Sequence, residues 1–147
     1  MKKIISLAVI VMVLLSQAHA QKAEVYSPGG KAIKGYDPVA FFTDSKPVMG
    51  ADSLSYSWKG ATWLFADRSN LQRFKANPEK YAPQYGGYCA YGTSQGHKAP
   101  TEVSTWTILN DKLYFNYNEK VKGMWVKDQP GYIQKADKQW PEIKGKE

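Results

Sequence analysis

Leu54-Ser55-Tyr56-Ser57-Trp58-Lys59-Gly60-Ala61-Thr62-Trp63-Leu64-Phe65 decides the fold. Leu54, Tyr56 and Trp58 alternate with two serines, the period of a strand that buries one face. Lys59-Gly60 can reverse the chain, and Ala61 to Phe65 supplies the return strand. Further along, Thr105-Trp106-Thr107-Ile108-Leu109, Asn110-Asp111 and Lys112-Leu113-Tyr114-Phe115-Asn116 repeat the same logic as a second hairpin.

Short helices surround the hairpins. Asp37 followed by Pro38 is an N-cap and first-turn signal, so a helix is expected from Pro38 to about Phe42. Thr43 to Ser53 reads as a polar loop. Asp67 caps a helix whose apolar residues Leu71 and Phe74 stand three apart. Asn77-Pro78 stops it, and Pro78 to Tyr81 adds one turn. Asn118 caps a helix bearing Val121, Met124 and Trp125, with Pro130-Gly131 as its breaker. An amphipathic segment from Tyr132 to Trp140 closes the fold. These elements predict an α+β class: two β-hairpins with short helices in a single compact domain.

The N-terminal end carries an address. Lys2 and Lys3 precede an apolar run from Ile4 to Leu15 broken only by Ser6, and Ala18-His19-Ala20 is a small-x-small exit. That is the tripartite pattern of a secretory signal peptide over residues 1–20, with Gln21 as the mature N-terminus. The run is too short to span a bilayer. A soluble periplasmic or secreted protein is expected, without stable membrane insertion after cleavage. Residues 21–34 form a lead-in with a turn at Ser27-Pro28-Gly29-Gly30. The domain proper covers residues 35–141, and 142–147 are a charged tail.

The 147-residue chain has 20 Lys+Arg against 13 Asp+Glu. Removing Lys2 and Lys3 lowers the net charge from +7 to +5. The charges are mixed in sign along the chain, and no basic stripe argues for nucleic acid. All 5 Trp, 10 Tyr and 5 Phe follow residue 20, so aromatic burial dominates the core.

Beyond Ala20 a single cysteine and a single histidine remain, Cys89 and His97. A Cys-x-x-Cys pair, an internal disulfide and a four-cysteine zinc site are thereby excluded. Cys89 has three readings: a small buried residue, a soft-metal ligand, or a reactive thiol. Copper(I) accepts thiolate, imidazole and thioether at low coordination number, so Cys89, His97 and Met49 or Met124 form a candidate donor set. His97 reads equally as a surface histidine in a polar loop. Four glycines and three tyrosines surround Cys89 in Tyr85-Gly-Gly-Tyr-Cys-Ala-Tyr-Gly-Thr-Ser-Gln-Gly-His97. Tyr85, Tyr88 and Tyr91 stand three apart, which on a helix would align them for core packing or for an aromatic-lined ligand pocket. Asp37, Glu79 and Glu102 are scattered carboxylates that no motif pairs. A Cys89–His97 nucleophile and base is the one enzymatic option, and it lacks an orienting third residue.

Asp37-Pro38-Val39, Tyr56, the Trp58 to Trp63 turn, Phe65 with Phe74, and Asn77-Pro78-Glu79-Lys80-Tyr81 resemble the YHS-domain family over Gly35 to Tyr81. The remainder is similar to the C-terminal extension of secreted, stand-alone members. The resemblance implies a treble-clef-like core and, in metal-binding members, cysteines at three positions. Here those positions are Ala40, Ala66 and Asn70, so the usual cysteine ligands are missing. The leading expectation is a periplasmic binding protein rather than an enzyme, holding a soft metal such as copper near Cys89. The alternatives are an aromatic-lined module for a small molecule or partner with a structural Cys89, and a thiol enzyme or redox sensor.

Overall fold

Lys59 (φ +48°) and Gly60 (φ +73°) both adopt left-handed backbone, the conformation that lets a two-residue turn match the twist of its strands. They join β1 (Ala51–Trp58) to β2 (Ala61–Phe65), with Trp58 opposite Ala61 and Tyr56 opposite Trp63. Asn110 (φ +51°) and Asp111 (φ +59°) repeat the turn between β3 (Glu102–Leu109) and β4 (Lys112–Asn116). The computed structural model describes residues 23–146. The signal peptide expected over 1–20, the start of the lead-in at 21–22 and the last tail residue, 147, lie outside the described residues.

The two hairpins remain separate two-stranded sheets. Strand β1 starts at Ala51, inside the expected Thr43 to Ser53 loop. Backbone pairing of Ala51 with Phe65 needs no apolar side chain, so alternation could not reveal it.

Six α-helices and four short 3-10 turns complete the described fold, the α-helices being α1 (Ala40–Thr43), α2 (Arg68–Ala76), α3 (Pro78–Tyr81), α4 (Ala90–Ser94), α5 (Glu119–Trp125) and α6 (Gln129–Ile143). The cap signals hold. Asp67 Oδ1 accepts the Asn70 amide at 2.8 Å, and Asn118 Oδ1 accepts the Val121 amide at 2.9 Å. Pro130-Gly131 does not separate two elements. Asp128 caps the next helix by accepting from the Gly131 amide, and Pro130 sits in its first turn, where a missing N–H costs nothing. Helix α6 therefore begins before Tyr132 and runs through Pro141 to Ile143.

Strand β4 divides the core by alternation. Leu113 and Phe115 face a cluster with Phe41, Trp63, Phe65 and Phe74, while Tyr114 faces one with Tyr85, Ala90, Trp125 and Ala136. Phe74 is fully buried, with ring centroids of Trp63 at 4.9 Å and Phe65 at 5.2 Å. The first hairpin and α2 thus form one end, and α4 packs against α6 at the other.

Candidate functional site

Cys89 lies at the start of α4 with 1% of its surface exposed. Its sulfur accepts the amide hydrogens of Gly92 and Tyr117, each at 3.3 Å, and donates to Asn116 Oδ1 at 3.5 Å. Asn116 is itself fully buried, and its Oδ1 also accepts the Tyr91 amide at 3.1 Å. Burial pushes the thiol pKa up, and the amides of Gly92, Tyr117 and Tyr91 offset this only in part. A neutral, enclosed thiol is a weak nucleophile. The thiol-enzyme and redox-sensor readings therefore gain nothing from its setting.

His97 is exposed and folds back over α4. Its amide donates to Gly92 O at 3.1 Å, and a β-carbon on Gly92 would lie 3.3 Å from His97 Nε2. Met49 is 56% exposed, with its sulfur beside Gly35 near β2, whereas Cys89 bridges to Phe115 of β4. Met124 is half-buried on α5. Among the described residues, no three His, Cys, Asp or Glu side chains converge as metal ligands do.

The tyrosines part company. Tyr85 (φ +57°) and Gly86 (φ +62°) are left-handed, Tyr88 is extended, and Tyr91 is inside α4, so no common helix aligns them. Gly86 is required there: a β-carbon would sit 1.8 Å from Glu24 O, because the lead-in runs across this turn. Tyr88 donates to Ala23 O at 2.7 Å, and Tyr91 packs on Tyr132. Tyr85 donates to Asp137 Oδ1 at 2.8 Å, and burial first, then Asp137, raises its pKa well above the usual phenol range.

Of the three, Tyr85 alone lines a cleft of about 350 Å³. Trp58 and Lys59 from the first hairpin form one wall; Tyr85, Asp137 and Trp140 form the other. Glu24 and Glu79 stand at the Lys59 side. Lys59 Nζ lies 3.1 Å from Glu24, 3.4 Å from Glu79 and 4.8 Å from the Trp58 ring centroid. Burial alone would lower the Lys59 pKa; the two carboxylates outweigh it and raise it. Sequence reasoning missed this site. Lys59 registered only as a turn residue, and its partners lie far away along the chain.

At the positions where the family resemblance leads one to expect metal ligands, a carboxylate takes over. Asp37 is fully buried. Its Oδ1 accepts the amides of Val39 at 2.8 Å and Ala40 at 3.3 Å; its Oδ2 accepts the Ala66 amide at 2.9 Å and Asn70 Nδ2 at 2.8 Å. Ala40, Ala66 and Asn70, the three positions where the resemblance implies cysteines, thus all hang on one side chain. Alanine offers no donor atom to a metal, so the residues present do not fit the usual ligand set.

Residues 39–85 match the family model of the YHS domain. The match begins within Asp37-Pro38-Val39 and ends at Tyr85 on the cleft wall. Searches of curated proteins and of solved structures return no match. No helix among the described residues is long and apolar enough to cross a membrane. The family is associated with metal, so metal binding is compatible with this membership. Residues 39–85 are therefore a YHS domain, and the family assignment rests on that segment alone.

Proposed function

We propose that this chain is a small periplasmic or secreted binding protein whose ligand sits in the cleft between Trp58 and Trp140, with Cys89 serving the fold. The observation that carries the reading is the contrast between the two candidate places. Cys89 is enclosed and hydrogen-bonded. The cleft is open, about 350 Å³, and combines half-buried rings with five charged side chains from separate elements. That size and mixed lining suit a small molecule. The extracytoplasmic location rests on Lys2-Lys3, the Ile4 to Leu15 run and the Ala18-His19-Ala20 exit.

The test is a tryptophan-fluorescence screen of the secreted chain against small amines, sugars and carboxylates, repeated on Trp140→Ala and Cys89→Ala. Saturable binding that vanishes in Trp140→Ala and survives in Cys89→Ala is expected. Binding that instead depends on Cys89 contradicts the proposal.

One observation favours a second reading, in which copper is held at Cys89. His97 Nε2 rests against Gly92, the residue whose amide points at the Cys89 sulfur. A soft cation between thiolate and imidazole would need the thiol to lose its proton and α4 to open. An anaerobic copper(I) competition titration decides between the two. Tight one-to-one binding lost in Cys89→Ala would establish the metal site.

A further inference from the structure

The cleft already holds one ammonium group. Lys59 Nζ lies over the Trp58 ring at 4.8 Å while contacting Glu24 at 3.1 Å and Glu79 at 3.4 Å. An aromatic face plus two carboxylates is how proteins receive an organic cation. Here the cation is tethered to the hairpin turn that forms the wall.

The rest of the lining favours the same charge. The Trp63 indole N–H is engaged by Trp58 O at 3.0 Å, and the Tyr85 hydroxyl by Asp137 at 2.8 Å. Neither is free to donate to an anion. Glu24, Glu79 and Asp137 outnumber Lys59 and Lys112 among the lining residues. Around Lys59 the walls offer a ligand the carboxylates of Glu24 and Glu79 and the face of Trp58.

We infer that the cleft takes an organic ammonium compound, which displaces the Lys59 side chain from Glu24, Glu79 and Trp58. This rests on the cleft reading above. Lys59 is then a built-in competitor. With no ligand it keeps the carboxylates neutralised at the mouth. With ligand it swings into solvent, where its charge is readily hydrated. The exchange replaces one cation by another and leaves no carboxylate unpaired.

The experiment titrates the secreted chain with choline, with its neutral carbon isostere dimethylbutanol, and with acetate, following tryptophan fluorescence. Choline is expected to bind saturably, with dimethylbutanol about fivefold weaker or worse, the size of one exposed cation–π and ion-pair contact. Lys59→Met removes the competitor and keeps the stem, so choline should bind about fivefold tighter. Lys59→Arg keeps a tethered cation and should behave as the parent does, which separates competition from damage to the turn. Glu24→Gln with Glu79→Gln should weaken choline. Equal or tighter binding of dimethylbutanol or acetate, or weaker choline binding in Lys59→Met, overturns the ammonium assignment while leaving the cleft as the site. Silence from all three compounds overturns the ammonium assignment, and the cleft reading falls with it only if the wider screen of amines, sugars and carboxylates is silent too.

Discussion

Asp37 Oδ2 accepts a 2.8 Å hydrogen bond from Asn70 Nδ2, joining residues 33 apart inside the core. The same carboxylate receives the amides of Val39, Ala40 and Ala66. Helix α1, the end of β2 and helix α2 are thereby fastened at one point. The fastening is one carboxylate whose lone pairs are met by N–H donors.

Removing that carboxylate should be costly. Asp37→Ala leaves buried donors without an acceptor and is expected to destabilise by about 3–5 kcal/mol. Asn70→Ala should cost less, about 1–2 kcal/mol. Urea denaturation of both single variants and the double variant should show coupling between them. Independent, additive effects would mean that Asp37 and Asn70 do not act as one node.

Gly86 carries a backbone approach that no other residue permits. Gly86→Ala would place a methyl 1.8 Å from Glu24 O at φ +62°, so the lead-in must lift away. A loss of about 2–4 kcal/mol is expected from the clash and the strained backbone. The Tyr26 amide, which donates to Gly86 O at 2.8 Å, should exchange with deuterium much faster in the variant. Unchanged protection there would count against this account.

Lys98 is buried, although lysine is among the residues least often fully enclosed. Its Nζ donates to Lys144 O and Lys146 O, and stands 5.2 Å from the Tyr88 ring centroid. It also reaches Ala23 O at 3.4 Å. Lysine is thus the clasp between the lead-in and the end of α6, where a cation suits the helix's negative pole. Lys98→Met keeps the stem and removes the charge. A loss of about 2–3 kcal/mol is expected, with faster proteolysis at both ends of the chain. A variant as stable as the parent would show that the clasp is dispensable.

Alkaline pH should weaken the fold. Burial holds the Cys89 thiol and the Tyr85, Tyr88 and Tyr114 phenols above their ordinary values. For such groups the unfolded chain releases protons first as pH rises. The contribution is therefore complete below the ordinary thiol range, about pH 8.5, and is lost progressively above it, through the phenol range near pH 10. Urea midpoints should be flat from about pH 7 to 8 and fall steadily beyond about pH 9. Cys89 should also resist iodoacetamide until denaturant is added. Fast alkylation of the folded chain would show that its thiol is accessible.

The hairpins and caps were legible in the sequence because their causes are local. Alternation from Leu54 to Trp58, the Lys59-Gly60 and Asn110-Asp111 turns, and the Asp67 and Asn118 caps each act over a few residues. The four glycines around Cys89 were visible in the sequence, but not the approach of Glu24 O that makes Gly86 indispensable. The cleft was not legible, because Glu24, Lys59, Glu79, Asp137 and Trp140 meet only after both ends of the chain have folded onto the first hairpin. Asp37 read as the N-cap of a helix from Pro38; the helix starts later, at Ala40 with Val39 in the N-cap position, and Asp37 Oδ1 takes the Val39 and Ala40 amides at its entry. Its reach to Ala66 and Asn70 depends on β2 and α2 being in place. The tyrosine spacing suggested a common face, and the left-handed Tyr85-Gly86 turn breaks it.

The most direct test uses the tryptophans as position markers. Indole N–H resonances of Trp58, Trp63, Trp106, Trp125 and Trp140 can be followed in one spectrum while choline is added. Trp58 and Trp140 line the cleft, Trp106 packs on Phe41, and Trp125 lies in the cluster with Ala90, next to Cys89. Trp58 and Trp140 should shift saturably while Trp106 and Trp125 stay in place. Shifts confined to Trp125, or none at the cleft with any of the amines, sugars and carboxylates screened, would contradict the claim that this cleft is the binding site.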